Sequence, residues 1–424
     1  MSPQASRREF LADSTAAVAA GSLVAGLGAN RAVHAAGTDT LKVGLIGCGG
    51  RGTSAAGNAM RADENVQITA LADVFPDRMG HAKNIHAKAK QFQVPDEQCF
   101  VGFDAYKELI ATDVDVVLLC TPPHFRPMQI RAAIEAGKHV FCEKPVAVDA
   151  TGVRSVLETT KLAKEKNLTI VSGLCWRYDL GVRATMDQIK SGAIGDIVAI
   201  QENYLTGTLW HRGREDDWSE MEYQMRNWLY FTWLSGDHIV EQHIHSLDKA
   251  LWLMDDQPPA SCVGLGGRQV RTDEPWGHIY DHFAICYEWA NGVKTFAYTR
   301  QMSGCKNDVD DYVLGSKGRA KILKQQIEGE KEWRYPKDAP KPSMYNQEHK
   351  ELFAGIRSGN IINNGEYMCS STLLAIMGRE ACYTGKSITW DEAMNSKQDL
   401  TPEAYEWGEV AVPEVAMPGK TKFV

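Results

Sequence analysis

Three rhythms of hydrophobic and polar residues divide this chain. Between residues 41 and 172, short continuous apolar runs alternate with longer stretches in which apolar positions recur every three or four residues. The runs at 41–46, 66–72, 114–120, 138–142 and 168–172 predict strands, and 53–60, 125–136 and 148–164 predict helices between them. A run such as 114–120 suits a central strand buried on both faces, so a parallel sheet layered by helices is expected. From residue 197 the pattern turns alternating, at 197–205, 282–289, 293–301 and 311–314, with Gly or Asn at the turns; this predicts a large, mostly antiparallel sheet. One helical stretch, 237–254, interrupts it.

The third rhythm precedes both. Ser6-Arg7-Arg8-Glu9-Phe10-Leu11 is followed by an Ala/Gly/Val-rich stretch over 16–29 and a small-residue end, Val33-His34-Ala35-Ala36. This reads as a twin-arginine export signal over residues 1–36, and it predicts a periplasmic or other extracytoplasmic location. The apolar part is short and glycine-rich, and no later run approaches a bilayer's thickness, so no membrane span is expected in the mature protein.

A length of 424 residues fits two domains, placed at 37–172 and 173–424, and 44% hydrophobic content suits an ordinary globular core. The net charge of -8, with no clustered basic face, argues against a nucleic-acid partner and for a small neutral one. Ten cysteines in an exported protein suggest disulfides, yet Cys48, Cys120 and Cys142 sit in or beside strand-like runs without framework spacing. A twin-arginine substrate folds in the reducing cytoplasm, so mostly free, buried thiols are expected.

The first strand ends in Gly47-Cys48-Gly49-Gly50-Arg51-Gly52, and the second ends at Asp73, about twenty residues past the last glycine. Between a strand and a helix, this is a dinucleotide grip. Gly47 permits the tight turn, Gly49 and Gly50 let backbone approach the pyrophosphate beside Arg51, and Gly52 brings helix and strand close. Asp73 would accept hydrogen bonds from the adenosine ribose and repel a 2′-phosphate, which favours NAD over NADP. The expected class is therefore α/β, a Rossmann NAD-binding domain followed by an α/β domain with an open sheet. Thr121, Pro122 and His124 follow the strand at 114–120, where ligands of such sheets bind; His124 reads equally as a cofactor contact or as a helix-start residue. Glu143-Lys144-Pro145 closes the unit and brings an ammonium group to the reactive end of the dinucleotide.

In the second half, Asp237, Glu241, His245 and Asp248 share one face of the helical stretch. Glu241 and His245, at i and i+4, can share a hydrogen bond that orients the imidazole. His245 is then the candidate base for a hydroxyl proton, with Lys144 stabilising the developing negative charge. A solvated face with an ordinary ion pair fits the same stretch, and His238, Glu241, His243 and His245 have spacing that permits a metal, a weaker reading; the metal assignment is none. Segment 204–233 carries Trp210, Trp218, Trp228, Trp233, Arg212, Arg214 and Arg226, which suit either a sugar or polyol ring, with Trp228 as a wall, or core and subunit packing.

With these motifs placed, the chain resembles the glucose-fructose oxidoreductase, inositol dehydrogenase and rhizopine catabolism (Gfo/Idh/MocA) family over residues 41–390. The resemblance implies an NAD(P)-dependent oxidoreductase acting on CH–OH groups of sugars or polyols, with an open sheet that often mediates homo-oligomers. It assigns the catalytic lysine to Lys144 and the catalytic histidine to His245, and it puts Glu241 where relatives have aspartate. Gly173, Arg177, Tyr178 and Asp179 match a further motif, from which Arg177 and Tyr178 are expected near the substrate. Two positions depart from the pattern: Ser235-Gly236-Asp237 stands for a triple glycine, and His243 for a glycine. The family also contains redox-neutral NAD-dependent glycosidases, an alternative that export strengthens because a retained cofactor must be regenerated in place. A non-catalytic sugar-binding protein is the third reading.

Overall fold

The computed structural model describes residues 39–424, so the export signal read over 1–36 lies outside the described residues. Strands β1 (Leu41–Ile46), β2 (Val66–Asp73), β3 (Cys99–Val101), β4 (Val116–Leu119), β5 (His139–Cys142) and β6 (Ile170–Ser172) form one parallel sheet in the order β3-β2-β1-β4-β5-β6. Val43, Leu45 and all four residues of β4 are fully buried, as continuous apolar runs demand of strands covered on both faces. Helices Gly50–Ala62, Arg126–Glu135 and Ala150–Glu165 supply the crossovers anticipated from the pattern. Strand order reverses direction between β1 and β4, and a crevice for ligands opens there.

The second sheet contains β7 (Ile197–Thr206), β8 (Ser261–Gly267), β9 (His282–Glu288), β10 (Lys294–Gln301), β11 (Asp308–Gly315), β12 (Gly318–Lys321), β13 (Gln326–Gly329), β14 (Trp333–Arg334) and β15 (Ile388–Thr389). Its order is β14-β13-β12-β11-β7-β10-β9-β8-β15, and only the β7–β10 pairing is parallel. Phe283, Ile285 and Tyr287 of β9 point to one buried face. Against it lies the long helix Gly365–Thr384, where Gly378 lets the backbone approach Tyr287; a Cβ there would meet the phenol oxygen at 2.1 Å.

The two units are stitched by the end of the chain. Helix Met344–Ser358 returns to helix Gly50–Ala62, with Arg357 donating to Asp63 at 2.7 Å, and Asn363 bridges to Ile170 beside β6. A boundary at 172/173 separates the sheets, but the packing runs across it. All ten cysteines are free, and Cys48, Cys142, Cys175, Cys262, Cys369 and Cys382 are buried. Among the described residues, no helix is long and apolar enough to cross a membrane.

Candidate active site

The glycine turn is built as its spacing requires. Gly47 has φ 91°, and a Cβ there would meet the backbone carbon of Cys120 at 2.6 Å; a Cβ on Gly52 would lie 1.8 Å from the Gly47 carbonyl oxygen. Gly49 and Gly50 meet nothing within 4 Å, which leaves the amino end of helix Gly50–Ala62 open to phosphate oxygens. Asp73 accepts from the Cys48 amide at 2.6 Å and the Phe75 amide at 2.9 Å. Burial raises its carboxyl pKa, against these amides and Arg78. The turn, Asp73, Thr121 and Pro122 line one groove of about 440 Å³. These residues fit a dinucleotide.

Other expected contacts are placed differently. His124 is buried, donates to or accepts from Tyr405 Oη at 2.8 Å, and packs edge-on to Trp233 at 5.0 Å. Burial drives its pKa down to about 4, so it remains neutral. It belongs to an aromatic cluster beside the groove and is absent from the groove wall. Trp228, expected at a sugar, lines the groove itself together with Trp210, Arg212 and Arg226, on the side of Asp73 and Phe75.

At the carboxyl end of β5, Glu143 is buried and ion-paired with Arg51, which also reaches Glu348 at 3.2 Å. Burial works to raise the Glu143 carboxyl, but Arg51, Lys144 and Arg126 hold it below its ordinary value. Glu348, buried beside Glu143, is pushed well up. No motif surrounds Glu348; only the return of helix Met344–Ser358 to the parallel sheet brings it here. The next peptide, Lys144–Pro145, is cis. The Lys144 ammonium donates to both the carboxylate of Glu241, at 2.7 Å, and the Glu241 carbonyl. An ammonium has three donors, so one remains for a substrate oxygen.

The stretch 237–254 is not one regular helix. Gly236 and Asp237 both take left-handed backbone, φ 77° and 74°; a π-helix then spans Ile239–His243 and an α-helix Ile244–Leu253. Asp237 holds a conformation costly for a side chain, and its carboxylate is tied down by the Tyr280 amide at 2.8 Å and Tyr383 Oη at 2.5 Å. The wider π turn changes the residue spacing and leaves the Glu241 carbonyl to Lys144. The i,i+4 hydrogen bond expected between Glu241 and His245 is therefore not formed: Glu241 faces Lys144, and His245 Nδ1 has no partner among the described residues. Burial, followed by Lys144, Lys249 and Arg51, lowers the His245 pKa well below the usual value and keeps the imidazole neutral. His238 bonds to the Tyr280 carbonyl at 3.2 Å, whereas both ring nitrogens of buried His243 have no hydrogen-bond partner among the described residues.

Arg177 donates to Asp248 at 3.0 Å and to Asp256 at 2.6 Å, with its guanidinium 3.9 Å from the Tyr367 ring. Tyr178 is buried and donates to Asn364 at 2.7 Å. Both side chains thus pack within the second unit, and their polar groups are committed there.

Comparison with known proteins agrees with this geometry. The model for the Gfo/Idh/MocA oxidoreductase family, NAD-binding Rossmann fold, matches residues 41–173, and the model for the Gfo/Idh/MocA C-terminal domain matches 182–321. An inositol 2-dehydrogenase of Pseudomonas savastanoi pv. phaseolicola is 27% identical over 291 residues, 66% of this chain and 74% of that one. A 2,7-anhydro-N-acetylneuraminate hydratase of Escherichia coli is 25% identical over 68% of this chain and 69% of that one. The structure of scyllo-inositol dehydrogenase from Lactobacillus casei with bound NAD(H) and scyllo-inositol aligns at TM-score 0.64 and 19% identity, over 83% of this chain and 100% of that one.

Proposed function

This chain belongs to the Gfo/Idh/MocA oxidoreductase family, and we propose that it oxidises or reduces a secondary hydroxyl of a sugar or polyol with NAD. The observation that carries the reading is the Lys144 ammonium, fixed on the Glu241 turn and close enough to depress buried His245. NAD on the glycine turn supplies the hydride-accepting carbon. Lys144 turns its third N–H to the substrate oxygen and stabilises the negative charge that grows as hydride departs. His245, neutral at pH 7, takes the hydroxyl proton. Export over residues 1–36 and a tightly held cofactor belong to the same proposal, because free NAD is scarce outside the cytoplasm. The test is NADH fluorescence during incubation of the purified protein with inositols, hexoses and their glycosides; NADH should accumulate with at least one free polyol or sugar.

A redox-neutral cycle of oxidation, elimination and re-reduction is the second reading, favoured by the relative named a hydratase, since hydration changes no net oxidation state. It predicts release of the leaving group from a chromogenic glycoside with no net NADH.

We place a homo-oligomer in the same proposal. Val263, Leu265, Phe296, Tyr298 and Leu314 lie exposed on the outer face of the antiparallel sheet, Leu265 at 78%. An apolar sheet face of this kind is a contact surface. Leu265→Glu is expected to shift the protein to monomers in light scattering, with unfolding temperature as control; an unchanged mass would place the contact elsewhere.

A further inference from the structure

The groove that holds the glycine turn is walled, on the Asp73 side, by residues from outside the Rossmann unit. Trp210, Arg212, Arg226 and Trp228 line it together with Phe75 and Phe103. Phe75 is gripped from two directions: the Arg226 guanidinium lies 4.0 Å from its ring, and the indole of Trp407 stacks on it at 5.4 Å. Trp407 also packs against Phe103 at 5.0 Å. The two outside segments are tied to each other, because the Gly408 carbonyl accepts from the Met221 amide at 3.0 Å, and Arg226 is held by Glu222 at 2.8 Å. The Arg212 guanidinium lies 5.5 Å from the Trp210 ring at the groove wall, where it can face a ligand. Asp73 marks this end of the groove as the adenosine end.

We infer that segment 210–228, braced by Trp407 through Phe75 and Phe103, forms a clasp over the adenosine half of the dinucleotide, and that this clasp sets the rate at which the cofactor leaves. The inference rests on the reading that NAD occupies the groove. A glycine turn grips only phosphates and remains open to solvent on its outer side. Segment 210–228 supplies indoles and guanidinia to the groove wall, and Trp407 braces that wall from behind through Phe75 and Phe103, so the braced wall must part before the adenosine departs. Affinity differences of this type reside mainly in the dissociation rate.

Trp407 and Arg212 are exposed, so Trp407→Ala and Arg212→Gln in the full chain leave the core intact. NADH release is followed by loss of tryptophan-to-nicotinamide energy transfer, and competition with ADP-ribose and with nicotinamide mononucleotide separates the two halves. Release should accelerate about tenfold or more in each variant. ADP-ribose affinity should fall in step while the mononucleotide is unaffected, a split that general loosening would not produce. Unchanged release in both variants, or equal weakening of both half-ligands, overturns the clasp and leaves the oxidoreductase reading standing. Failure of the unmodified protein to bind NADH overturns that reading, and the clasp with it.

Discussion

Lys144→Met is expected to reduce turnover by about 10²–10³-fold while NADH still binds. The lysine sits beyond the carboxyl end of β5, and the phosphate grip is made by the glycine turn on the other side of β4, so the substitution leaves the grip in place. What it removes is the donor that the proposed function assigns to the reacting oxygen, together with the partner of Glu241. Methionine retains most of the chain's length and apolar contact. Steady-state rates and NADH titration on the same preparation separate chemistry from binding. A rate within a few-fold of the parent would exclude Lys144 from the chemistry, whatever the binding result.

Acid should unfold this protein steeply. Burial holds His124 and His278 down to about 4 and His243 and His349 down to about 3, and it lowers His238 and His245 as well. Unfolded histidine titrates near 6.5, above each folded value. The unfolded chain therefore binds more protons as pH falls, and stability that is complete above pH ~6.5 drains away on descent toward the folded values. Each such histidine contributes a slope of ~1.4 kcal/mol per pH unit within that window. Four of them together lose ~6 kcal/mol per pH unit, comparable with the ~5–15 kcal/mol by which a domain is ordinarily stable. Buried Glu202 and Glu348 act in the opposite sense, because burial raises them, and the net slope is smaller than the histidine sum. Urea midpoints should fall sharply between pH 6.5 and 5. Since His245 keeps its lone pair far below pH 6.5, the acid loss of turnover should coincide with unfolding; midpoints independent of pH would contradict both statements.

The parallel sheet was legible because its strands are continuous apolar runs, and the turn because Gly47 and Gly52 are demanded by contacts under 3 Å with neighbouring backbone. Lys144 was legible through its place after β5. The helix at 237–254 misled in a specific way: 3.6-residue spacing puts Glu241 under His245, and nothing in the side-chain pattern signals the π turn that rotates Glu241 toward Lys144. Arg177 carried a motif but is spent on Asp248 and Asp256, which are 71 and 79 positions away along the chain. The aromatic segment at 204–233 could be recognised as a wall but not assigned an occupant, since its position beside Phe75 depends on how the two units meet. Glu348 and Trp407 had no signal at all, being brought against Arg51 and Phe75 solely by the chain's final return.

That return limits how freely the amino-terminal module could be borrowed by other proteins. Arg51 is clamped between Glu143, from its own half, and Glu348, from a helix almost three hundred residues later. A fragment ending after the sixth strand would carry every glycine of the turn and still lack one jaw of that clamp. The setting of Arg51 is thus inherited with the whole polypeptide, and gene fusions that transplant only the residues through Ser172 would transmit the glycine turn without the full clamp beside it.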